Sequence, residues 1–84
     1  MGPRPAESQT PKDAAYRCHI RPRGHAKRRQ AQRGITDDDI RRAIYTGPLK
    51  RRRDIWQARA SFVKVVFRMA PSNIFIITVF YRRP

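Results

Sequence analysis

The chain has 84 residues with 20 Lys and Arg against 6 Asp and Glu, a formal charge of +14, and one cysteine. One small domain is all that this length supports, and a single cysteine excludes an internal disulfide framework or a multi-cysteine zinc site. Eighteen of the twenty cations lie from Tyr16 onward, facing only four carboxylates, so the folded part attracts polyanions. Nucleic acid is the leading candidate, because neutralising phosphates releases condensed counterions.

Residues 1–15 hold Pro3, Pro5 and Pro11 among small polar residues, with no large apolar side chain after Met1. Such a segment cannot offset its ordering entropy, and it reads as a flexible leader or linker before a domain over 16–84. It has no apolar signal core, so an exported form is expected to depend on another segment or protein. No apolar run reaches membrane-spanning length, and no membrane anchor is expected. The lone Cys18 fits a reducing compartment.

Tyr16 to Ile20 reads as a short strand or extended entry, ending at the turn Arg21-Pro22-Arg23-Gly24. His25 to Arg33 is composed of helix formers and closes on Gly34, where a left-handed residue is wanted. Thr36-Asp37-Asp38-Asp39 then opens a second helix, with Thr36 as cap and three carboxylates at the positive end of the dipole. Ile40, Ala43 and Ile44 give that helix one apolar face, and Gly47-Pro48 ends it.

Lys50-Arg51-Arg52-Arg53 reads as a cationic loop between helix and sheet, suited to phosphate contacts. Ile55–Arg59, Phe62–Met69 and Ile74–Tyr81 are rich in Val, Ile, Phe and Tyr and read as strands. In the middle strand Val63, Val65, Phe67 and Met69 share one face, while Lys64 and Arg68 share the other. The last strand is apolar on both faces, as in a central or helix-covered strand. Trp56 is expected in the core or covering the sheet. The expected fold is α+β: two N-terminal helices on a three- to four-stranded antiparallel sheet.

His25, Arg29 and Arg33 recur at i, i+4 and i+8. Each step drifts about 40° on a helix, so the three share one stripe. An imidazole can move a proton near neutral pH, and guanidiniums can hold a phosphate and stabilise its transition-state charge. The same residues could equally be solvated surface charges with a histidine at a helix start. Asp37, Asp38 and Asp39 splay about 100° apart and cannot share a metal as facing carboxylates do. Cys18 and His19 point apart in an extended segment, which is poor geometry for a thiolate–imidazole pair. No cofactor motif is present.

The run His25-Ala26-Lys27-Arg28-Arg29-Gln30-Ala31-Gln32-Arg33-Gly34-Ile35-Thr36 resembles the HAxxRMxxRGI(S/T) signature of a small bacterial domain family of formally unknown function. Asp39-Ile40, Ala43-Ile44 and Gly47 resemble its next helix and turn, and Ile76–Tyr81 resembles its closing strand. Gln30 stands where the family has methionine, and Phe80 where it often has tyrosine. The family is grouped with the barnase–EndoU–colicin–RelE ribonuclease fold, whose members are regarded as toxin-type endoribonucleases.

The resemblance implies a metal-independent endoribonuclease that cleaves RNA through the ribose 2′-hydroxyl, on tRNA or ribosome-associated RNA among other targets. His25, Arg29, Arg33, Thr78 and Tyr81 would form its site, although Thr78 and Tyr81 have opposite parity on a regular strand. Arg28, Lys50, Arg51, Arg52, Arg53, Lys64 and Arg68 would contact RNA. An acidic immunity protein or antitoxin would cover the site. The place of action would be a bacterial cytoplasm: the producing cell's for a toxin–antitoxin pair, or a target cell's for the cargo of a secreted toxin. The alternative is a non-catalytic basic RNA- or DNA-binding module, which charge supports equally.

Overall fold

The computed structural model describes residues 10–60 and 62–81. In chain order these form α1 (Pro11–Ala14), β1 (His19–Pro22), α2 (Gly24–Arg33), α3 (Asp37–Thr46), β2 (Leu49–Arg52), β3 (Ile55–Arg59), β4 (Val63–Met69) and β5 (Asn73–Tyr81).

The expected helices form for the expected reasons. Gly34 ends α2 in the left-handed conformation at φ 68°. Thr36 and Asp39 make a reciprocal capping box on α3, each side chain bonding the other's backbone N–H at 3.1 and 2.9 Å. Ile40, Ala43 and Ile44 turn the apolar face of α3 onto β3 and β4, while α2 lies over β5 and β1. Gln30, at the family's methionine position, donates to Ile35 O and Asp37 Oδ1 and ties α2 to the start of α3.

The sheet differs from expectation. It has five strands in the order β1-β5-β4-β3-β2 and is mixed, because β1 runs parallel to β5. The strand expected over Tyr16 to Ile20 forms at His19–Pro22 instead: Tyr16 to Cys18 turn after α1, while Arg21 and Pro22, expected in a turn, pair with Phe75 and Ile76. A parallel neighbour needs a long connection, and here two helices and three strands supply it. Lys50 to Arg52 also lie in a strand, not a loop: β2 pairs antiparallel with β3. An edge strand tolerates a run of charges because one side of its ladder faces solvent, and those charges discourage edge-to-edge association.

Part of the expected leader is also structured. Thr10 caps α1, whose Pro11 and Ala14 are buried together with Ala15. Residues 1–9 of the expected leader lie outside the described residues. Lys12 Nζ donates to Tyr45 O at 2.8 Å, Gly47 O at 3.0 Å and Ile44 O at 3.4 Å, holding the C-terminal carbonyls of α3. Arg41 Nη1 returns the tie to Ala15 O and Cys18 O at 2.7 and 2.9 Å.

One hydrophobic core joins the helices to one side of the sheet, around Phe67, Ile40, Ile44, Ile74, Ile76, Val63, Val65 and Val79. Trp56 stacks on Phe67 at 6.4 Å, on the core side as expected. Each fully buried Val, Ile or Phe stabilises by about 1.5–3 kcal/mol.

Candidate active site and nucleic-acid interface

The sheet has two faces of different chemistry, and their residues follow from pairing. Paired neighbours point the same way. Val65↔Val79 and Phe67↔Ile76 are buried pairs on the helix side. Lys64↔Phe80, Val66↔Thr78 and Arg68↔Phe75 therefore face the other side. Between Thr78 and Ile76 the strand carries one extra residue, Ile77, which has no partner on β4. This bulge brings Phe75, Thr78 and Phe80 onto one face, where regular alternation would separate Phe75 from the other two.

The stripe lies on the helix side. Ala26 is the buried residue of α2, and Lys27, Gln30, Ala31 and Gly34 line a cleft with Ile20, Arg21 and Pro22 of β1. His25, Arg29 and Arg33 lie on the opposite flank of Ala26 around the helix, away from β1. His25 and Arg33 are exposed and Arg29 is half-buried. No side-chain hydrogen bond to another described residue engages these three. Arg23 caps α2 with no side-chain bond, and no acidic residue lies in the first turn, so the positive end of the dipole adds to the field around His25. Arg28 is exposed on the solvent side of the helix.

The remaining expected site residues divide between the faces. Tyr81 pairs with buried Val63, so it belongs to the helix side, 45% exposed and 6.2 Å from the ring of Phe62. Thr78 belongs to the helix-free face with Lys64 and Arg68, and its hydroxyl is buried without a hydrogen-bond partner among the described residues. Tyr81 thus shares the helix side of the sheet with the stripe, its ring against Phe62, and Thr78 lies on the opposite face. Arg68 is held by Asp54 at 2.9 Å.

The four cations Lys50 to Arg53 line one open cleft with Asp54, Ile55 and Gln57, although their side chains leave the strand on both faces. Lys50 and Arg52 face the helix-free side with Gln57 and Ile55. Arg51 lies over Trp56 on the other side, 5.2 Å from the ring, and donates to Arg53 O. Arg53 sits in the turn at φ 59°.

Several exposed groups escaped the sequence reading. Arg21 pairs with Phe75, placing it on the helix-free face, and Arg59 pairs with Lys64 on the same face. Arg23, Arg68 and Phe75 line a cleft of about 220 Å³ with Met69 and Ala70. Lys64 Nζ lies 5.7 Å from the centre of the Phe80 ring. Only the bulge brings Phe75 and Phe80 to one side, and no residue type announces it.

This topology, with an exposed His–Arg helix flank and a basic sheet face, defines a small, strongly cationic α+β domain. The chain belongs to the family described as domain of unknown function DUF4258, which matches residues 23–81. Its fold is similar to a chain of the toxin–antitoxin complex RelBE2 from Mycobacterium tuberculosis. That likeness has a TM-score of 0.55 at 16% identity, covering 77% of this chain and 98% of the other, and it is a likeness of fold. No curated protein sequence matches the chain. No helix among the described residues is long and apolar enough to cross a membrane.

Proposed function

We propose that the domain is a toxin-type, metal-independent endoribonuclease. The observation that carries this reading is the unbroken helix α2, which puts His25, Arg29 and Arg33 on one flank, none engaged by another described side chain. The fold likeness to a chain of a toxin–antitoxin complex supports it.

In this mechanism the ribose 2′-oxygen attacks the adjacent phosphorus while a general base takes its proton. The bond from phosphorus to the 5′-oxygen breaks, and a general acid protonates the departing oxygen. The products are a 2′,3′-cyclic phosphate and a 5′-hydroxyl. His25 carries one of the two proton transfers. Arg29 and Arg33 hold the phosphate oxygens as negative charge accumulates on them. Tyr81, on the stripe's side of the sheet, orients the reacting group in preference to Thr78.

The partner that restrains such an enzyme is an acidic antitoxin or immunity protein, steered by the +14 charge. The place of action is a bacterial cytoplasm. The second reading, a non-catalytic RNA-binding module, draws on the basic and aromatic helix-free face, which could hold RNA without the stripe.

The test is incubation of the full chain with total RNA in EDTA, comparing wild type with His25→Ala. The enzyme gives cleavage with 2′,3′-cyclic phosphate ends, lost in the variant while RNA binding persists. Intact RNA with tight, salt-sensitive binding by both proteins supports the module instead.

A further inference from the structure

We infer that the helix-free face of the sheet is a binding track for single-stranded RNA, with Phe75 and Phe80 as base-stacking platforms between phosphate-binding cations. The inference deepens the ribonuclease reading and takes from it the identity of the ligand.

Two aromatic rings stand exposed on the sheet surface, Phe75 at 38% and Phe80 at 40%. Each is joined to cations. Phe80 has the Lys64 ammonium 5.7 Å from its ring centre. Phe75 borders the cleft that Arg23 and Arg68 also line. A flat ring beside a cation matches a nucleotide in both its parts, since the base stacks while the backbone phosphate meets the charge.

The spacing suits a strand of several nucleotides. Phe75 and Phe80 are five residues apart on β5, about 13–16 Å along an extended strand with one bulge. One base cannot touch both rings, and the half-buried Val66 and Thr78 fill the surface between them. Duplex RNA cannot use such a surface, because its bases are already stacked on one another; unstacked single strands can be splayed onto aromatic side chains.

The N-cap position links this face to the proposed catalytic flank. Arg23 N–H donates to Ile76 O at 3.0 Å, where the pairing of β1 with β5 ends. His25 follows in the first turn of α2. An RNA strand lying across Phe75 toward Arg23 therefore leaves the sheet beside the turn that carries the imidazole.

The test uses the full chain and a labelled twelve-nucleotide RNA with 2′-O-methyl groups, which has no attacking hydroxyl and cannot be cut. Fluorescence anisotropy over a salt series compares this strand with a duplex of the same sequence. The single strand binds more tightly. Phe75→Ala and Phe80→Ala each weaken its binding about 5- to 100-fold without changing the salt slope. Phe→Tyr at either position restores it, and thermal melts show that these exposed substitutions leave the fold intact. Lys64→Ala reduces the salt slope by about 0.7, and Arg68→Ala by less, because Asp54 already pairs with that guanidinium.

Equal binding of strand and duplex, or phenylalanine variants that bind as wild type does, overturns the track. An acidic protein that displaces no RNA from this face while the alanine variants lose that protein also overturns it. The two readings fail separately. A chain that cuts RNA but binds normally without either ring keeps its activity and loses the track. A chain that binds in the expected pattern and never cuts unmodified RNA keeps the track and loses the enzyme.

Discussion

Thr78 and Tyr81, three residues apart on β5, face opposite sides of the sheet: Thr78 pairs with Val66 on the helix-free face, and Tyr81 with buried Val63 on the helix side. A bulge could have reconciled them, but it falls at Ile77, before both, and leaves their relative parity unchanged. Tyr81→Phe should therefore lower the rate of RNA cleavage about a hundredfold, in the range of a lost proton-transfer or orienting group. Thr78→Val should change that rate less than about threefold. Single-turnover cleavage of a short RNA, followed by gel, reads both. A larger loss in the threonine variant would move the site to the other face.

Asp54 is one of only six carboxylates in the chain, and it is paired with Arg68 at 2.9 Å. Both side chains are more than half exposed, so the pair is worth less than about 1 kcal/mol to stability. Its larger effect is on ligand binding, since it places negative charge where phosphate would sit. Asp54→Asn should tighten single-stranded RNA binding several-fold and steepen the salt slope, with the melting temperature nearly unchanged. Weaker binding would mean that Asp54 holds Arg68 in a required orientation.

Elements set by neighbouring residues are legible in this sequence, and those set by long-range pairing are not. Gly34, the Thr36–Asp39 box and the Ile40-Ala43-Ile44 face each act within one or two turns, so nearby residues specify them. The alternation of Val63, Val65 and Phe67 fixed the core face of β4 in the same way. β2 was hidden because Lys50, Arg51 and Arg52 carry no apolar alternation, and its strand character comes from pairing with β3. β1 is short and gains its place only beside β5, more than fifty residues later in the chain. α1 has four residues, below any length that helical periodicity could reveal, and depends on the burial of Ala14 and Ala15. The stripe was legible because helix spacing alone defines it. The aromatic platform was not, since it depends on the extra residue at Ile77.

Lys12 reaches three carbonyls at the end of α3, and no basic residue lies in the last turn of that helix. A cation there satisfies orphan acceptors and opposes the negative end of the dipole. Lys12→Met keeps the aliphatic stem and removes the charge, so it should cost about 1–2 kcal/mol. For a domain of this size the melting temperature should fall by roughly 4–8 °C per kcal/mol. An unchanged melt would show that α1 contributes nothing to stability through this tie.

The two glycines that flank α3 should respond differently to alanine. At Gly34 a Cβ would meet nothing within 4 Å, but the residue sits at φ 68°. Gly34→Ala then costs only the backbone strain of a left-handed residue, about 1–2 kcal/mol, and Gly34→Asn costs less. Gly47 has an ordinary negative φ, yet a Cβ would run into Arg59 O and lie 2.6 Å from Ala43 O. Backbone atoms cannot swing aside as a flexible side chain would, so α3 must separate from the end of β3. Gly47→Ala should cost about 2–3 kcal/mol, more than Gly34→Ala. Urea titrations of both variants give the ordering, and a smaller loss at Gly47 would show that the junction of α3 with β3 is looser than its backbone contacts imply.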